Sequence, residues 1–114
     1  MTVQALVIQP GDEHGTMTPV DAGSLKALQD LVGGYVESVR FLDARALMNE
    51  EGKELGLQAN PLATSLARSA GAIFPDDSIC GPMVLIGVDA AGENIDVPKR
   101  LVEQLRDAGI EVRG

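Results

Sequence analysis

Apolar positions along the chain fall into short blocks of two periods, and each block predicts an element. The run VQALVI over residues 3–8 is rich in strand-forming side chains and stops at Pro10-Gly11, so a first strand is predicted there. Residues 16–20 (TMTPV) predict a short extended piece that Pro19 confines to a sheet edge. Leu25, Leu28, Leu31 and Val32 recur at helical spacing, which predicts a helix over 24–32 stopped by Gly33 in the left-handed conformation. Residues 35–42 (YVESVRFL) and 45–49 read as two strands joined by a tight turn at Asp43 and Ala44. Asn49-Glu50-Glu51-Gly52 reads as a type I turn closed by a glycine at positive φ, with residues 53–57 returning as a third strand.

Asn60-Pro61 opens a second helix running to about Ala70: the residue before proline is pushed out of the α region and suits a cap, and proline fits the first helical position. Residues 83–88 (MVLIGV) are apolar throughout and predict a strand buried on both faces, central in the sheet and paired with the first. Asp96 reads as the cap of a third helix whose inward stripe is Val97, Leu101, Val102, Leu105 and Ala108, and residues 110–112 as a last edge strand. The order is neither strict βα alternation nor all-β. The predicted fold is α+β in a single domain over 1–114: a mixed sheet of about four to six strands including a central meander, with about three short helices packed on one face or at its ends.

Charge narrows the partners. Seventeen acidic against nine basic residues give a net charge of −8, which on average repels a phosphate backbone, so no direct nucleic-acid partner is expected. The acids are scattered among the cations, and a solvated surface accounts for them. The longest apolar stretch falls far short of the roughly 20 residues of a membrane-spanning helix, so no membrane partner and a cytoplasmic location are expected. With one cysteine, Cys80, and one histidine, His14, neither an internal disulfide nor a soft-ligand zinc site is available within one chain.

Candidate chemistry gathers in the middle of the sequence. Gly33-Gly34-Tyr35 joins a helix end to a strand, the wrong direction for a phosphate-cradling loop, and fits a helix stop and a bend. Alternation puts Glu37 on one face with Tyr35, Val39 and Phe41, so its carboxylate is either buried at a cost or held at a rim. Asn49, Glu50 and Glu51 form the densest polar cluster; with Glu37 and Asn60 they would line a pocket suited to amine and hydroxyl donors. Asp12-Glu13-His14, Cys80 and the serines complete no catalytic constellation.

The run LVGGYVE (31–37), then MNEEGK (48–53), Gly56-Leu57, Asn60, Ala63-Thr64 and an apolar strand after Gly81 resemble a small domain of unknown function met in actinobacteria, their phages and other mobile elements. The resemblance covers residues 3–88 and leaves the C-terminal helix outside it. It implies no activity and no catalytic residue, only a context: a small accessory protein acting inside a bacterial cell, in the host cytoplasm if phage-encoded.

Together these readings favour a non-enzymatic module, without a cofactor, that binds a host protein or sequesters a small polar or nucleotide-like metabolite. Its candidate ligand-binding residues are Gly33, Gly34, Tyr35, Glu37, Asn49, Glu50, Asn60 and Thr64, with Tyr35 stacking. Two alternatives are a carboxylate-based or metal-assisted enzyme using Glu37 with Glu50 or Glu51, and an acidic decoy of a DNA-binding protein. Exposed edges at 16–20 or 110–112 would serve for pairing in a homo-oligomer.

Overall fold

A computed structural model describes residues 2–114. One mixed sheet has the order β3-β4-β5-β1-β2-β7, with β6 beside the end of β5. Its strands are β1 (Thr2–Ile8), β2 (His14–Asp21), β3 (Val36–Phe41), β4 (Ala44–Asn49), β5 (Met83–Val88), β6 (Asn94–Ile95) and β7 (Glu111–Arg113). The helices are α1 (Leu25–Val32), α2 (Pro61–Ser69) and α3 (Lys99–Asp107). The α+β class with a mixed sheet and three helices holds, with seven strands, one of them the two-residue β6.

β5 is central, antiparallel to both β1 and β4, because its side chains are apolar on both faces. The helices do not share one face. α2 and α3 cover the face carrying Leu6, Ile8, Phe41, Met83 and Leu85, whereas Leu28 and Val32 of α1 pack on the opposite face against Val3, Val7, Val84 and Ile86. β2 pairs with β1 along its length but with β7 only at His14–Thr16, so Pro19 lies where the outer side of β2 is open.

Four local expectations change. No third strand follows β4: residues 50–56 are successive tight turns, with Leu55 N–H bonded to Glu51 O and Leu57 N–H to Gly52 O, and β4 takes β5 as its second neighbour. The central meander is therefore β3-β4-β5, all antiparallel, with its second connection running through α2. The hairpin turn is one residue earlier than predicted, at Leu42 and Asp43, because Phe41 pairs with Ala44; Leu42 accepts a φ of 56°. Asp96 does not cap α3, whose N-cap is Pro98 and which has no side-chain cap. Its carboxylate accepts instead from Gln4 N–H at 2.8 Å, while Val97 N–H donates to Gln4 O, so this segment continues the ladder where β1 leaves β5. Gly52 is absent from the residues at positive φ and is a glycine for another reason, given below.

Asn60 caps α2 as the sequence indicates, and α1 is capped by Ser24, the residue at which the sequence placed the start of that helix. Ser24 Oγ accepts from Ala27 N–H, and Asn60 Oδ1 accepts from Ala63 N–H ahead of Pro61. No helix among the described residues is long and apolar enough to cross a membrane.

Candidate functional site at the double-glycine bend

α1 ends because Gly33 adopts φ 83°, which lets its N–H and that of Gly34 both reach Gln29 O, at 2.8 and 3.0 Å. The chain then bends through Gly34 and Tyr35 into β3. The far wall is the turn after β4, and one side chain joins the two. Asn49, 6% exposed, donates through Nδ2 to Val32 O at 3.2 Å and accepts through Oδ1 from Glu51 N–H at 2.7 Å. Glu50 N–H adds a backbone bond to Tyr35 O at 2.8 Å.

Both glycine positions are set by close approach. A Cβ on Gly34 would lie 2.8 Å from Asn49 Nδ2, and one on Gly52 would lie 2.4 Å from the carbonyl oxygen of Cys80. The turn is thus pressed against the entry to β5 on one side and tied to the end of α1 on the other. The bend and the acidic turn adjoin, as parts of one hydrogen-bonded unit.

On the α1 side of this unit is an open groove of about 620 Å³ lined by Gln29, Asp30, Gly33, Gly34, Tyr35, Glu51 and Leu55. Tyr35 and Leu55, 65% and 56% exposed, give this groove apolar surface on two sides. Asp30 and Glu51 supply carboxylates and Gln29 an amide; Asp30 also pairs with Lys26 one helical turn back.

A smaller groove of about 180 Å³ opens on the other side of the same turn, lined among others by Glu37, Asn49, Glu50, Lys53, Asp77 and Cys80. Glu37 shares the face of Phe41 and Val39, which pack into the α2/α3 core, but stands at the strand's start and is exposed at the groove rim. Glu37 and Glu50 therefore line one groove and Glu51 the other. Among the described residues no three His, Cys, Asp or Glu side chains converge as a metal site.

Lys53 crosses the smaller groove to Asp77, and the hydrogen bond it donates, with a second from Ser78 N–H, holds the Asp77 carboxyl below the usual aspartate range. A carboxyl depressed in the folded state contributes stability above its unfolded pKa, and that contribution disappears as pH falls through the folded value. Lys53→Ala is expected to return Asp77 toward the ordinary range, read by carboxyl NMR titration. The effect on stability is small because the pair is exposed.

Asn60 and Thr64 lie outside both grooves. Asn60 Nδ2 donates to Ile8 O and to Gly81 O, both at 2.9 Å, and Thr64 Oγ1 accepts from Ile79 N–H at 2.9 Å. These side chains fasten α2 to the sheet, and Thr64 borders a separate surface hollow with Arg68 and Ser78. The sequence reading missed Gln29, Asp30 and Leu55. Gln29 was findable as the residue four before Gly33, where a left-handed stop returns its hydrogen bonds.

His14 Nε2 stands 3.7 Å from Asp12 Oδ2 in the loop side of β2, away from the bend. Searches of curated proteins and of solved structures returned no match. One family model covers residues 1–109 and so takes in α3, which the sequence resemblance had left out. The chain belongs to the family described as domain of unknown function DUF3846.

Proposed function

We propose that the protein is a non-enzymatic binding module whose recognition patch is the groove at the double-glycine bend. The supporting observation is the meeting of an exposed aromatic ring, Tyr35, with Asp30, Glu51 and Gln29 around a glycine floor that Asn49 holds in place. A ring to stack on, two carboxylates and an amide suit a small polar ligand with a flat face and amine or hydroxyl donors. A floor whose backbone is already fixed loses little freedom on binding, which favours affinity without a large contact area.

Of the site residues read from the sequence, Gly33, Gly34 and Tyr35 line this groove, Asn49 and Glu50 brace it, and Glu37 belongs to its neighbour. A host-encoded partner and an origin in a phage or mobile element form the biological side of the proposal, in which the module sequesters its ligand inside a bacterial cell. The catalytic alternative is less well supported in its Glu37–Glu51 form, since Glu51 lines a different groove, while Glu37 and Glu50 share the smaller one.

The test is a thermal-shift panel of nucleosides, nucleotides and polyamine-like metabolites. A ligand at about 100 times its Kd adds about 2.7 kcal/mol of stability, a rise of several degrees for a domain of this size. Tyr35→Ala, on the surface, is expected to leave the unliganded melting temperature nearly unchanged and to abolish the shift. A panel without any stabilisation, or a shift that survives Tyr35→Ala intact, contradicts the proposal.

A further inference from the structure

The register of the β3–β4 hairpin sets Arg40 directly opposite Arg45. Opposed residues of an antiparallel pair point to the same face with Cβ atoms about 5 Å apart, and like charges there destabilise the pair. The chain has 17 acidic side chains against nine basic ones, yet among the described residues neither guanidinium has a carboxylate within ion-pair distance.

Both side chains are instead aimed by neutral acceptors. Arg40 Nε donates to Leu42 O at 3.1 Å, within the hairpin turn. Half-buried Arg45 donates to Asn94 Oδ1 at 2.7 Å, and Asn94 Nδ2 in turn donates to Ala22 O at 3.2 Å. Each guanidinium has five N–H donors, so several remain unspent on both. They line a groove of about 380 Å³ together with Ser38, Leu42 and Val88. The one acid in its lining, Asp43, is engaged by Arg100 of α3, a helix packed on the opposite face of the sheet.

We propose that this groove is an oxyanion site, in which Arg40 and Arg45 together hold the phosphoryl group of a small phosphorylated ligand. Two forks converging on one tetrahedral anion turn a repulsive pair into charge-assisted hydrogen bonds. Ser38 adds a hydroxyl donor, and Leu42 and Val88 offer apolar surface to the ligand's carbon skeleton. The site is independent of the patch at Tyr35: five residues of extended strand, about 17 Å, separate Tyr35 from Arg40.

The experiment follows the arginine Nε–Hε signals of the full chain during titration with inorganic phosphate, and separately with a nucleoside monophosphate and its parent nucleoside, at constant ionic strength. Saturable shifts of Arg40 and Arg45 with phosphate are expected, with tighter saturation by the monophosphate and none by the nucleoside. Phosphate and monophosphate of equal affinity identify the free ion as the ligand and still support the anion site. Arg40→Gln is expected to weaken binding about tenfold without loss of stability, since it also relieves the like-charge contact. Arg45→Gln is expected to weaken binding to a similar degree, and Arg45→Lys, which keeps the charge and loses the fork, serves if that variant does not fold. Absence of saturation, or equal affinity in the Arg40→Gln protein, overturns the proposal, and either result leaves the Tyr35 patch untouched.

Discussion

Asn60→Ala is expected to destabilise the fold by about 3–5 kcal/mol, from the loss of one side chain that joins three parts of the structure. Asn60 has no exposed surface. Its amide spends two donors on the carbonyls of Ile8, at the end of β1, and Gly81, ahead of β5, while its oxygen caps α2 at Ala63 N–H. Alanine removes the Asn60 partner of those two carbonyls and one N–H at a position without solvent exposure, and each buried group left unsatisfied costs about 1–3 kcal/mol. Against a total stability of about 5–15 kcal/mol this is a large share. Asn60→Asp separates the contributions: it keeps the capping acceptor but sets carboxylate oxygen against two carbonyl oxygens, so it is expected to be no better than alanine. Denaturant midpoints, with unchanged slopes, measure both. A loss below about 1 kcal/mol for Asn60→Ala contradicts this description of the α2 attachment.

Gly52→Ala is expected to cost about 3 kcal/mol and to abolish ligand binding at the double-glycine bend. The reason is contact, since a Cβ placed 2.4 Å from a backbone oxygen cannot be accommodated by rotating a side chain. The turn or the β5 entry must move, and movement of the turn pulls Glu51 N–H away from Asn49. Gly56→Ala is the control. Gly56 has φ 69° and nothing within 4 Å of its Cβ position, so alanine there carries only the left-handed backbone cost, about 1–2 kcal/mol, and leaves binding intact. Equal losses from the two variants would show that close approach at Cys80 does not constrain the turn.

The contrast at Gly52 shows what the sequence can and cannot display. The glycine was legible as necessary, but local turn chemistry suggested a positive φ, whereas the requirement is imposed by Cys80, far along the chain. The cap Asn60 and the stop at Gly33 were readable because their partners lie within a few residues. The central place of β5 was readable because burial on both faces leaves a continuous apolar run. Strand order and the faces taken by the helices depend on contacts between remote segments. Thus a third strand expected at residues 53–57 gave way to β5, whose buried apolar run pairs with β4.

The site was legible in the same uneven way. The nearness of the bend to the acidic turn follows from hairpin pairing, since β3 and β4 place Tyr35 beside Glu50 whatever lies elsewhere. The roles inside it were not readable. Asn49 was expected to meet a ligand, yet both ends of its amide are occupied by backbone, while Gln29 and Leu55 line the groove from segments given other roles. Asn60 looked similar to Asn49 in sequence and is instead wholly a fastening.

Amide chemical-shift mapping of the full chain with the best-stabilising compound tests the recognition patch most directly. The expected perturbations cluster on Gly33, Gly34, Tyr35 and Glu51, saturating together with one affinity. Saturable perturbations elsewhere, with those four amides unmoved, would contradict it.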